Sequence, residues 1–106
     1  MALFQINLPK VPNGTGSFDL DEVPIDFTWR TLKNGNLVCD IAIDGETTVA
    51  GRSCVNLSPL LLICPFPSGV GNLYFMDKYG NEDPTYENFN DRFALVYDDA
   101  YDFEKV

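Results

Sequence analysis

The chain has 106 residues, 45% of them hydrophobic, with sixteen acids against seven bases and no histidine. A chain of that length forms one domain over 1–106 and can bury about 60–70% of the surface it exposes when unfolded. The formal net charge of −9 repels phosphate. Direct nucleic-acid binding and anionic membrane surfaces are therefore disfavoured, and without histidine neither Ser-His-Asp nor Cys-His catalysis can operate within the chain.

The charge is unevenly spread. Residues 1–76 carry seven acids and four bases, a net of −3, and residues 77–106 carry nine acids and three bases, a net of −6. Such acidity serves solubility, or it suits a protein partner with basic groups. The N-terminus, Met1 to Pro9, has neither a basic leader nor a long apolar stretch, so it does not read as a signal peptide. No apolar run approaches the roughly 20 residues needed to cross a bilayer.

Leu3 to Leu8 reads as a short strand closed by Pro9 and Pro12, and Pro9 to Gly16 reads as a loop or wide turn. Ser17 to Leu20 starts a second strand, with Asp21-Glu22 as a turn or bulge before a third, Val23 to Leu32. Apolar Val23, Ile25, Phe27 and Trp29 alternate there with Pro24, Asp26, Thr28 and Arg30. After Lys33-Asn34-Gly35-Asn36 the alternation resumes at Leu37, Cys39, Ile41 and Ile43. A period of two on both sides of an Asn-Gly turn marks a β-hairpin with one buried face. Asp44-Gly45 is a second turn, and Glu46 to Gly51 the return strand, so residues 23–51 form a three-stranded meander.

Ser58 to Ile63 is open between a short helix begun at Pro59 and a buried turn. Leu73 to Asp77 is a strand, and Glu82 to Asp91 a polar loop with one helical turn. Arg92 to Tyr97 is the last strand, and residues 98–106 form an acidic, aromatic tail. The expected fold is mainly β: a small antiparallel barrel or sandwich of six to eight short strands with little helix.

No motif carries a catalytic, metal or cofactor site. Asp77 to Asp83 gathers oxygen ligands, but the EF-hand spacing is missing and solvated turn residues explain the segment better. Asp40 and Asp44 bracket a strand and could pair with other carboxylates for glycosidase-type chemistry, but every such pair is generic, and Asp40 lies on the face opposite the apolar one. Gly69-Val70-Gly71 lacks the third glycine and the helix of a nucleotide fingerprint. Cys39, Cys54 and Cys64 show no paired framework and read as small buried hydrophobes in a chain matured in a reducing compartment. Trp29 is the core anchor, with a partner-facing role as the alternative. The tail is either a frayed end or a docking arm whose aromatics anchor on a partner.

The order of these features resembles the phage baseplate plug family, known from a short contractile-tailed cyanophage and related tailed phages. The resemblance is carried by Phe4-Gln5-Ile6-Asn7-Leu8-Pro9, then Phe18-Asp19-Leu20-Asp21. The hairpin Ile25-Asp26-Phe27-Thr28-Trp29-Arg30 with Leu37-Val38-Cys39-Asp40-Ile41 follows, then Val49-Ala50-Gly51-Arg52 and Leu60-Leu61-Leu62. Leu73-Tyr74-Phe75-Met76-Asp77, Glu82-Asp83-Pro84 and Asp91-Arg92-Phe93-Ala94-Leu95-Val96-Tyr97 complete it. It spans about Leu3 to Tyr97 and departs at Thr85–Asn90, where Tyr86 and Phe89 replace small polar residues.

The resemblance implies a structural virion protein, assembled in the bacterial host cytoplasm, that plugs the hub at the distal end of the tail tube. Its partners would be hub, spike and tail-tube proteins, and its own copies a homo-oligomer, a trimer if it follows the hub. It implies no enzyme and no cofactor. The expected contact residues are Leu3, Phe4 and Ile6 at an edge strand, with Tyr97, Tyr101 and Phe103 as aromatic anchors from the other end of the chain. The competing reading is a stand-alone small β-barrel binding module for a basic protein or a cation.

Overall fold

The computed structural model describes residues 3–62, 64–67 and 69–101. They form seven strands and one short 3-10 turn: β1 Leu3–Ile6, β2 Asn13–Leu20, β3 Val23–Thr31, β4 Leu37–Ile43, β5 Glu46–Ser53, β6 Asn72–Asp77, the turn Tyr86–Asn88, and β7 Phe93–Asp98. Two antiparallel sheets result, one of order β2-β3-β4-β5 and one of order β1-β7-β6. The strands of one sheet do not pair with those of the other, so of the two expected architectures the sandwich forms and the closed barrel does not.

The alternation in β3 and β4 works as the pattern requires. Ile25, Phe27, Trp29, Leu37, Cys39 and Ile41 are buried, and they meet Leu73, Phe75, Leu95 and Tyr97 of the smaller sheet in a shared core. Trp29 is fully buried, and its indole N–H donates to the Val11 carbonyl at 2.9 Å. Burying the ring while satisfying its one donor makes it the core anchor. Around it the rings interlock: Phe27 stacks on Trp29, Phe89 meets Trp29 edge-on at 5.9 Å, and Phe89 stacks on Phe75 at 5.8 Å. Of the two aromatics that set Thr85–Asn90 apart from the expected small polar pattern, Phe89 is thus core filling and Tyr86 packs partly buried against the core.

Several strand ends shift by one or two residues from the sequence expectation, and three segments bear on the fold. The stretch Asn13–Gly16, expected as loop, already belongs to β2 and pairs with Phe27–Arg30, so the meander has four strands. Glycine and threonine have little apolar signal, and pairing with an existing hairpin makes the strand. Of the helix and the buried turn left open for Ser58–Ile63, the helix does not form over Ser58–Leu62, and Ile63 lies outside the described residues. The Leu57 N–H donates to the Phe75 carbonyl and the Leu60 N–H to the Leu73 carbonyl, which lays this segment along the outer side of β6. Asp98, assigned to the tail, is the buried last residue of β7.

β5 carries a bulge. Ala50 and Gly51 together oppose Asp40 between the pairs Cys39–Arg52 and Ile41–Val49. Gly51 has φ +62°, and its N–H donates to Asp40 Oδ1 at 2.6 Å. A residue without Cβ takes that conformation without strain.

Candidate partner interface

β1 is the edge of the smaller sheet. It pairs with β7 in the register Leu3–Asp98, Phe4–Tyr97, Gln5–Val96 and Ile6–Leu95, and among the described residues no strand pairs its other side. Phe4, Ile6 and Leu8 point to the inner face. Burial rises along them, from Phe4 at 52% exposed through half-buried Ile6 to Leu8 at 3%. The start of β1 therefore projects past the core, while its end is pinned. Asn90 does the pinning: its side chain accepts from the Leu8 N–H at 2.9 Å and donates to the Leu8 carbonyl at 2.7 Å. Gln5 is held from the outer face by Lys78, whose ammonium donates to Gln5 Oε1 and to the Asn90 carbonyl, both at 2.9 Å.

The structure brings together residues that the sequence places at opposite ends. Phe4 stacks on Tyr97 with centroids 6.1 Å apart and planes at 24°. Tyr97 in turn packs on Phe66 at 5.2 Å and is only 7% exposed, so its ring backs Phe4 from within. Leu3, at 45% exposed, lies beside Asp98 on the outer face. Tyr101 is half-buried, and its carbonyl accepts from the Gly71 N–H at 2.8 Å. Phe103 lies outside the described residues.

Two carboxylates that the sequence did not single out complete this corner. Asp21, in the turn between β2 and β3, and Asp99, just after β7, line a recess of about 310 Å³ together with Phe4 and Tyr97. Burial pushes the Tyr97 hydroxyl above the ordinary tyrosine value, and the negative charges of Asp21 and Asp99 push it the same way. Nothing in the linear pattern marks Asp21 as a neighbour of Tyr97. Only the facing of the two sheets does.

The acid loop is exposed from Lys78 to Asp83, as turn residues should be, and only its first residue turns inward. Asp77, expected among solvated turn residues, has a fully buried side chain, and Arg92 grips it with two hydrogen bonds of 2.9 Å, Nε to Oδ1 and Nη2 to Oδ2. The Tyr79 and Glu82 N–H groups donate to the same carboxylate at 2.9 Å. The guanidinium holds the Asp77 carboxyl well below the usual carboxylate range, against the opposing effect of burial, and the two N–H groups add to it. Asp83 accepts from the Asn56 N–H at 3.1 Å. Among the described residues no cluster of three His, Cys, Asp or Glu side chains could hold a metal ion.

Asp40 stands on the outer face of the larger sheet, 3.1 Å from Arg30. Cys39 and Cys54 are buried, and Cys64 is half-buried. A second recess, apolar and of about 270 Å³, lies between the β4–β5 hairpin and the segment around Leu61 and Leu62.

No curated protein matches the sequence. The profile of the family described as cyanophage baseplate Pam3 plug gp18 matches residues 3–100 of the 106-residue chain, the span of the two-sheet fold from the first residue of β1 to just beyond β7. With so much of the chain matched, it belongs to the cyanophage baseplate plug family.

Proposed function

We propose that this chain is a structural plug in the baseplate of a contractile-tailed phage, set at the hub where the tail tube ends. It works through protein–protein contact with hub, spike and tube proteins. Three copies around the tail axis fit a trimeric hub, and assembly in the reducing host cytoplasm suits three free thiols. An acidic lumen would let passing DNA slide without adhering.

The observation that carries this reading is the state of β1: an edge strand with no partner on its outer side among the described residues, led by Leu3 at 45% and Phe4 at 52% exposed. Such an edge invites pairing and aggregates unless it is covered. In a chain of the plug family, neighbouring baseplate proteins supply the cover. The alternative of a cation-binding module draws no support from the acid loop, because the Asp77 oxygens are already taken by Arg92 and two N–H groups.

The test is the mass of the purified chain in solution, alone and mixed with the hub protein of the same phage. A trimer, or a complex formed only with the hub, is the expected result. A monodisperse monomer indifferent to the hub overturns the reading. Removing residues 102–106, which spares the Gly71–Tyr101 hydrogen bond, should leave the fold intact and weaken co-assembly if Phe103 is an anchor.

A further inference from the structure

The four sheet edges are not equivalent. The outer side of β6 is covered by Asn56 to Leu60, and Asn72 seals its beginning by exchanging two hydrogen bonds with the Leu61 backbone. β5 is bent by its bulge. β2 shows exposed polar residues, Asn13, Thr15, Ser17 and Asp19. Among the described residues β1 alone combines an unpartnered edge in unbroken register with large exposed apolar side chains. It also borders the recess lined by Phe4, Tyr97, Asp21 and Asp99.

We propose that β1 and this recess form one docking site for an extended basic segment of a neighbouring protein, added as a further strand to β1 with an arginine or lysine side chain seated between Phe4, Asp21 and Asp99. The inference rests on the plug reading and names the chemistry of the partner. A strand added to β1 lies about 4.8 Å from it, and its residue opposite Phe4 projects to the same face as Phe4. That face opens onto the recess, so the register alone delivers a long side chain there. The lining matches a guanidinium: aromatic carbon on which its plane can stack and two carboxylates that compensate its charge. A carboxylate or phosphate in the same place would meet Asp21 and Asp99 and the field of a chain of net charge −9. Residues of the partner opposite Leu3 and Gln5 would face outward, beside Leu3 and the Lys78–Gln5 contact.

The test uses the full chain, isotope-labelled, and two synthetic nine-residue peptides of alternating valine and threonine. One carries a central arginine and its twin a central glutamate. The arginine peptide should shift the amide signals of Leu3–Ile6 and Tyr97–Asp99, and the twin should not. The double variant Asp21→Asn with Asp99→Asn should bind the arginine peptide about tenfold more weakly. Asparagine tolerates the positive φ of 50° at position 21, which keeps the turn intact. Equal binding of the twins, shifts confined to another surface, or unchanged affinity of the double variant overturns the proposal. Co-sedimentation with the hub protein separates the two readings. If the wild-type chain ignores the hub, the plug reading falls and the peptides still decide the recess. If the wild type and the double variant bind the hub alike, the docking site falls and the plug reading stands.

Discussion

Gly14 and Trp29 face each other across the β2–β3 pair so closely that a Cβ on Gly14 would fall 2.5 Å from Trp29 Cζ2. The indole is fully buried and tied to the Val11 carbonyl, so it has nowhere to retreat. This contact explains why a glycine stands in a strand, where it is ordinarily a weak choice. Gly14→Ala should cost roughly 1–3 kcal/mol through overpacking, read as a lower urea midpoint with little change in slope. Unchanged stability would mean that the ring can shift.

The turn between β2 and β3 is made by Asp21 at φ 50° and Glu22 at φ 65°, both left-handed and neither glycine. A two-residue hairpin turn of this kind favours Asn-Gly or Asp-Gly. Glu22→Gly should therefore raise stability by about 1 kcal/mol, measured as a higher urea midpoint, because the backbone no longer strains against a Cβ. A loss of stability would show that the Glu22 side chain is engaged elsewhere.

Acid should unfold the protein through Asp77. Its folded carboxyl is held below the ordinary aspartate value of 3.8, as is that of Asp91, which Lys10 pairs. A depressed carboxylate contributes stability that is complete above about pH 5 and disappears as pH falls through the folded value. Stability should drop on acidification below pH 5, and Asp77→Asn should flatten that limb by close to one proton's worth of slope. At the alkaline end Tyr97 and Tyr74 act in the opposite sense. Burial raises both above 10.0, so they contribute below that pH and the contribution is lost above it. Acid limbs that coincide for wild type and Asp77→Asn would refute the assignment.

The three thiols should differ in reactivity. A hydrogen bond with Cys39, followed by burial, pushes the Cys54 thiol far above its ordinary value, and both of these side chains are buried. Cys64 is half-buried. At neutral pH a thiol reagent should label Cys64 first and reach Cys39 and Cys54 only on unfolding, as judged by mass spectrometry of digested protein. Equal labelling rates in the native state would contradict this order.

The sequence by itself determined the class of the protein. Alternation in Val23–Trp29 and Leu37–Ile43, with Asn34-Gly35 and Asp44-Gly45 between strands, encodes the larger sheet, because local side-chain direction and turn chemistry are written into neighbouring residues. The ordered motifs from Phe4 to Tyr97 likewise carried the family. Tertiary structure decided what depends on partners far apart in the chain. The Asn13–Gly16 strand exists because β3 offers it a ladder, and the sandwich forms in place of a barrel because the outer strands of the two sheets do not pair. Arg92 reaches Asp77 across fifteen residues and draws the first acid of an otherwise exposed turn into an internal ion pair. Phe4 meets Tyr97, and Asp21 approaches both, only when the first and last strands lie side by side and the second sheet folds over them. Periodicity along one strand specifies which way a side chain points. Which distant side chain it meets is settled by register and sheet packing.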